Sequence, residues 1–71
     1  MFKKDTRVVI NNRQKNEYGT IISYWMRKGT QFYNVKTERG IVLEGLTVDP
    51  QFPCFINEDL TKKINQKECK D

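Results

Sequence analysis

Residues 18–37 of the chain read YGTIISYWMRKGTQFYNVKT. Residues 18–26 are rich in β-branched and aromatic side chains, which suit a pleated, half-buried surface, so they predict a long strand. Gly29 follows two basic residues, and glycine readily adopts the positive φ that a tight hairpin turn requires. Residues 31–37 again alternate with the two-residue period of a strand. The whole stretch therefore predicts an antiparallel β-hairpin.

Shorter strands are predicted on both sides of this hairpin. Residues 6–10, TRVVI, alternate between two faces, and residues 41–44, IVLE, follow a turn that ends at Gly40. Residues 11–17 contain no apolar side chain and are rich in Asn, so we expect an exposed loop between the first two strands. Gly19 predicts a bulge or sharp bend near the start of the second strand. Together these strands predict an antiparallel meander.

Residues 55–64, FINEDLTKKI, fit two structures. In a helix, Asn57 would cap the N-terminus, and Leu60 and Ile64 would form one apolar stripe. In the alternative, a short 3₁₀ turn at residues 57–60 precedes a final strand. We favour the turn and strand, because a short fifth strand would close the meander.

The composition agrees with an all-β fold. Val, Ile, Thr, Phe, Tyr and Trp contribute 25 of the 71 residues, whereas the chain has no Ala, the best helix former. At this length we expect one domain, residues 1–65, and a flexible polar tail, residues 66–71. No segment approaches the roughly 18 apolar residues of a membrane span, so we expect a cytoplasmic protein without membrane contact.

Several local signals resemble those of the SH3-like small barrels, in particular the KOW and Tudor-type domains. Residues 6–10 followed by residues 18–21, YGTI, resemble the first two strands of the KOW pattern. Residues 33–35, YNV, are similar to a recurring element of these barrels, and so are residues 58–60, EDL, in which two acidic residues precede a leucine. The resemblance implies a five-stranded SH3-like barrel that acts as a binding module. In length and overall pattern the chain also resembles a small prophage protein.

The sequence offers few of the side chains on which enzyme catalysis usually depends. The sequence contains no His and a single Ser, Ser23, so the usual pair of nucleophile and base is missing. A glycine-rich phosphate loop is also missing. Cys54, which we expect to be packed, and Cys69, which we expect to be exposed, form no CxxC pair and predict two reduced thiols. We therefore expect no enzyme activity, no cofactor and no metal.

Positive charge is concentrated in the first part of the chain. Residues 1–39 carry 9 basic and 3 acidic side chains, a net +6, and residues 40–71 carry 4 basic and 6 acidic ones, a net −2. Basic side chains bind phosphates, and aromatic rings stack on unpaired bases. We therefore predict a nucleic-acid-binding protein. The residues predicted to form the site are Arg13, Lys15, Tyr24, Trp25, Arg27 and Lys28.

Adjacent aromatic residues in a strand must divide between its two faces. Only one of Tyr24 and Trp25, and only one of Phe32 and Tyr33, can point into a barrel, so the other ring of each pair is available for a ligand. The alternative partner is another protein or a peptide, bound in an SH3-like aromatic groove or along an edge strand. In either case we expect a monomer.

Overall fold

The computed structural model describes residues 2–69 of the chain, with side chains up to residue 65. This part of the chain forms five strands and one helix: β1 (Arg7–Asn12), β2 (Lys15–Arg27), β3 (Thr30–Thr37), β4 (Val42–Leu46), β5 (Cys54–Ile56) and α1 (Glu58–Cys69). All neighbouring strands are antiparallel, in the order β4-β3-β2-β1-β5. The predicted meander is therefore confirmed for the first four strands.

The sheet curls into a half-barrel around a small apolar core. All five strands contribute to the core, which consists of Val8, Ile10, Ile21, Tyr33, Val35, Leu46 and Ile56. The two ends of the curled sheet meet where the backbone N–H of Ile56 donates to the carbonyl of Thr47 at 2.8 Å. Thr47 directly follows β4 and Ile56 ends β5, so this hydrogen bond links the two outermost strands of the sheet.

The first connection differs from its prediction. The predicted loop of residues 11–17 is wrong, because β1 and β2 stay paired as far as Asn12 opposite Lys15. A two-residue turn, with Arg13 at a φ of 60°, joins the strands. The polar side chains here are exposed or half-buried at the end of the sheet, where a strand has no need of apolar residues. The absence of apolar residues therefore did not mean the absence of a strand.

The C-terminal segment is a helix, and the predicted 3₁₀ turn and final strand at residues 57–64 are wrong. The side-chain oxygen Oδ1 of Asn57 accepts the backbone N–H of Leu60 at 3.0 Å, which caps the helix. Glu58 and Asp59 occupy the first turn, where carboxylates interact favourably with the helix dipole. The helix continues through Cys69, so the predicted tail of residues 66–71 begins inside α1, and residues 70–71 lie outside the described part.

Helix α1 packs against β1, and two hydrogen bonds to Val9 fix it there. The hydroxyl of the fully buried Thr61 accepts the backbone N–H of Val9 at 2.9 Å. The backbone N–H of Asn57 donates to the Val9 carbonyl at 2.7 Å. The fifth strand is the short β5 just before the helix, which pairs with the same strand β1. The edge of β1 is therefore occupied by β5 and α1 together.

Strand β2 has a bulge, but not at Gly19. The pairing of β2 with β3 shifts between Ile21 and Ser23, which leaves Ile22 as the extra residue. Gly19 is needed for a different reason, because a Cβ there would lie 2.6 Å from Cγ1 of Val35 and 2.9 Å from the carbonyl oxygen of Lys36. The glycine lets β2 and β3 approach closely, and the bulge comes three residues later.

Candidate functional site

The bulge at Ile22 decides which aromatic side chains of β2 lie on each face of the sheet. Ile21 points into the core, and strict alternation from it would also send Trp25 inward. The extra residue reverses this assignment, so Tyr24 is on the core face, opposite Tyr33, and Trp25 is on the other face, opposite Phe32. We call the face that points away from the core the outer face.

Trp25 and Phe32 form a stacked pair on the outer face. Their ring centroids lie 5.4 Å apart with planes 17° from parallel, and Trp25 is 42% exposed. Next to the pair, the amide nitrogen Nδ2 of Asn34 donates to the Ser23 hydroxyl at 2.9 Å, and Oδ1 of Asn34 accepts the backbone N–H of Gly45 at 3.1 Å. These bonds hold β2, β3 and β4 together beside the rings. One face of the indole therefore packs against Phe32, while much of the side chain remains exposed.

Tyr24 and Tyr33 lie on the core face. Tyr33 is buried and contacts the ring of Phe2 at a centroid distance of 6.0 Å. Tyr24 lies 6.2 Å from Tyr33 and remains 44% exposed, at the rim of the core. The expectation that each adjacent pair would divide between the faces is confirmed, and Tyr33 is the ring that fills the core.

The hairpin formed by residues 22–32 projects from the half-barrel, and we call it the arm. Every residue of β2 from Ile22 onwards is exposed, including Met26 at 56%. Lys28 and Gly29 form the turn with φ values of 51° and 79°, the two positive values of a type I′ turn, and the prediction for Gly29 is confirmed. Arg27 and Lys28 thus place two positive charges at the tip, close to Trp25.

Arg13 and Lys15 lie at the other end of β2 from this tip. Strand β2 begins at Lys15 and ends at Arg27, and its 13 residues have a contour length of about 40 Å at about 3.3 Å each. This contour exceeds the longest dimension of the molecule, 37 Å, so β2 is curved. Four of the six predicted site residues therefore belong to the arm, whereas Arg13 and Lys15 border a separate open cavity of about 780 Å³ with Arg39 and Glu17.

Three further residues of the outer face were not predicted as site residues. Tyr18 is 44% exposed, and the Arg7 guanidinium lies 5.8 Å from its ring centroid, held by an ion pair of 2.6 Å to Glu38. Lys36 is exposed on the same face, opposite Thr20. Alternation alone places Tyr18 on this face, but only the bulge brings Trp25 there too. The position of the bulge is thus the signal that sequence reasoning lacked.

A groove of about 510 Å³ lies beside the arm, on the side towards β4 and β5. Its apolar lining comes from Phe32, Tyr33, Val48 and the exposed Phe52. Within the described residues, the pairing of β4 with β3 stops at Leu46 opposite Tyr33, so no strand lies beside residues 30–32 on that side. The groove therefore combines aromatic surface with a short free strand edge.

Cys54 packs against the core, as predicted, and its thiol is free. Burial raises the pKa of this thiol above its ordinary value, and the nearby carboxylate of Glu17 raises it further. The thiolate is therefore disfavoured. The side chain of Cys69 lies outside the described part, so the exposure predicted for it is not tested. No three His, Cys, Asp or Glu side chains in the described residues lie close enough together to hold a metal ion.

Comparison with known proteins gives no relative for this chain: no family model, curated protein or solved structure matches it. Among the described residues, no helix is long and apolar enough to cross a membrane.

Proposed function

We propose that the protein is a noncatalytic module that binds nucleic acid through the arm. The observation that carries this proposal is the half-exposed Trp25, stacked on Phe32, within two or three residues of Arg27 and Lys28. A base can stack on the open face of the indole while the two cations at the tip contact its flanking phosphates. Because neither cation forms an ion pair among the described residues, both are available for phosphate.

We infer that the half-barrel is an SH3-like barrel, of the kind that KOW and Tudor-type domains share. The strongly curled five-stranded sheet and the link between Thr47 and Ile56 support this assignment. The α-helix in place of a final strand is a departure from the expected pattern. We propose that the protein is cytoplasmic and monomeric and is of prophage type.

The chain has a single tryptophan, so its fluorescence reports on the proposed site directly. Single-stranded and duplex oligonucleotides are titrated into the protein at about 50 mM and about 200 mM salt, because phosphate contacts weaken steeply over this range. We expect the fluorescence of Trp25 to be quenched and the affinity to fall as salt rises. If no oligonucleotide binds at the lower salt concentration, the proposed function is wrong.

The two ends of β2 provide a matched pair of variants for the same titration. Arg27→Gln with Lys28→Asn removes both charges of the tip, and Asn suits the positive φ of position 28. Arg13→Asn with Lys15→Gln removes two charges from the opposite end, again with Asn at the positive φ. Each lost phosphate contact makes the negative slope of log affinity against log salt less steep by about 0.7 for a single strand. We expect the slope to become less steep by about 1.4 for the first variant and to change little for the second.

A peptide ligand is the second candidate, and the groove lined by Phe32, Val48 and Phe52 favours it. An extended peptide can hydrogen-bond to a free strand edge while its side chains enter an apolar groove. Phe52→Ala separates the two candidates, because Phe52 lines the groove and is not part of the Trp25 and Phe32 stack. We expect this variant to bind oligonucleotides normally. A protein partner that survives nuclease treatment of a lysate and is lost with Phe52→Ala would favour the peptide instead.

A further inference from the structure

We infer that the nucleic acid is single-stranded and crosses the outer face from Trp25 to a second stacking ring, Tyr18. This inference rests on the proposed function and adds a path and a minimum length for the ligand. Tyr18 is as exposed as Tyr24, at 44%, but it lies on the same face as Trp25 because of the bulge at Ile22. The outer face therefore presents two separate aromatic rings to one ligand.

The surface between the two rings is open and carries both apolar and polar side chains. Ile22, at 37% exposure, and Val42, at 44%, lie between the levels of Tyr18 and Trp25 along the strands. Val42 is opposite Lys36 in the pairing of β3 with β4, so it shares the outer face with that lysine. Helix α1 packs against β1, at the other side of the sheet from β4. Among the residues that the structure describes, none of these contacts covers the part of the outer face formed by β2, β3 and β4, which is therefore free for a ligand.

Basic side chains outnumber carboxylates along this path, where Glu44 of β4 is also exposed. Lys36 lies between the two rings, and among the described residues it forms no ion pair. Arg27 and Lys28 follow at the Trp25 end. At the Tyr18 end, Arg7 is held beside the ring by Glu38, which neutralises its charge. A single-stranded nucleic acid that stacks on both rings thus meets Lys36 between them and two further cations, Arg27 and Lys28, at the tip of the arm.

The distance between the rings sets a minimum length. Tyr18 and Trp25 are seven residues apart in β2, so at about 3.3 Å per residue their Cα atoms lie at most about 23 Å apart, and the bulge between them shortens this distance. A stacked dinucleotide advances by only about 3.4 Å, which is too short to reach both rings. The five backbone steps of a hexanucleotide reach further than the stacked spacing once its bases separate to lie on the rings. Bases within a duplex are already stacked on one another and are not free to stack on side chains, which favours a single strand.

The experiment compares Tyr18→Ala with Tyr24→Ala, two tyrosines of equal exposure on opposite faces of the same strand. For a hexanucleotide, we expect Tyr18→Ala to weaken binding by about 5- to 150-fold, the range for one lost base-stacking ring, and Tyr24→Ala to weaken it less than twofold. Tyr18→Phe keeps the ring and is expected to bind normally. Circular dichroism of each variant confirms that it is folded.

A dinucleotide and a duplex complete the test. We expect the dinucleotide to bind weakly through Trp25 alone, so that Tyr18→Ala leaves its affinity unchanged, and we expect the duplex to bind more weakly than the single strand. If Trp25→Ala weakens hexanucleotide binding but the two tyrosine variants behave alike, the path to Tyr18 is wrong and the proposed function stands. If the wild-type protein binds no oligonucleotide, the proposed function itself fails. Duplex binding as tight as that of the hexanucleotide also overturns the inference.

Discussion

Strands β2 and β3 run through both the body of the half-barrel and the arm, but they bury their side chains very differently in the two regions. Ile21 and Val35, opposite each other in the body, are fully buried. From Ile22 onwards, every β2 side chain is exposed. The body therefore depends on its side chains for stability, whereas the arm is held by strand pairing, a tight turn and cross-strand contacts. Side chains of the arm can contact a ligand, because they contribute little buried surface to the folded state.

The first prediction tests the body. Ile10→Ala removes a fully buried side chain from the core, and we expect it to lower the free energy of unfolding by about 2–5 kcal/mol. Urea unfolding, followed by circular dichroism, measures the change. Met26→Ala in the arm is the control, because its side chain is 56% exposed, and we expect a change within about 0.5 kcal/mol. Similar losses from both variants would contradict the proposed division between body and arm.

The second prediction concerns the helix that covers the edge of the body. Thr61→Val keeps the shape of a fully buried side chain but removes the hydroxyl that accepts the Val9 N–H. An unsatisfied buried donor costs about 1–3 kcal/mol, so we expect a loss of that size in urea unfolding. Thr61→Ser retains the hydroxyl, and we expect it to retain more of the stability than Thr61→Val. The opposite order would show that methyl packing, and not the hydrogen bond, fixes α1.

The sequence carried enough information to predict the body. Alternation identified the strands that supply Val8, Ile21 and Val35, and Gly29 identified the turn of the arm, because these features are local. The fifth strand at residues 54–56 was missed, since three residues between prolines and a helix cap are too few to show a period. The sequence is compatible with the helix but does not select it, because its packing against β1 depends on a contact between Thr61 and Val9, which are distant in sequence.

The candidate site was harder to predict than the body. The aromatic and basic residues of the arm could be identified as candidates because they are close together in the sequence. Which ring of each pair faces outward depends on the bulge at Ile22. Ile21 and Ile22 are chemically identical neighbours, so the sequence alone does not indicate which of them is the extra residue. The separation of Arg13 from Arg27 follows from the full length of β2, which begins at Lys15. The prediction assigned residues 15–17 to a loop and therefore gave a shorter strand.

The third prediction tests the arm by removing its largest side chain. Trp25→Ala deletes the stack on Phe32, and cross-strand pairs of this kind contribute about 0.2–1 kcal/mol, so we expect a loss of about 1 kcal/mol in the free energy of unfolding. A tryptophan buried in a core would cost about 3–5 kcal/mol instead. Circular dichroism during urea unfolding measures this loss without the fluorophore. A loss in the core range would place Trp25 in the folded body and weaken the case for a binding role.

The fourth and smallest effect concerns Cys54, at the rim of the body. Burial, and then Glu17, raise the pKa of its thiol in the folded protein above the ordinary value of 9.0. An unfolded chain then loses this proton at a lower pH than the folded one. The contribution to stability is therefore fully present below pH 9.0 and is lost as the pH rises through the folded pKa.

The rate of reaction with a thiol reagent measures this titration, because the thiolate is the reactive form. In a Cys69→Ser background, we expect the rate to rise with pH at a higher midpoint in the folded protein than in urea. Glu17→Gln should lower the folded midpoint only part of the way, since burial is the larger cause. A midpoint equal to that of the unfolded chain would contradict this prediction. It would mean that the surroundings of Cys54 in the body are as accessible to water as the arm.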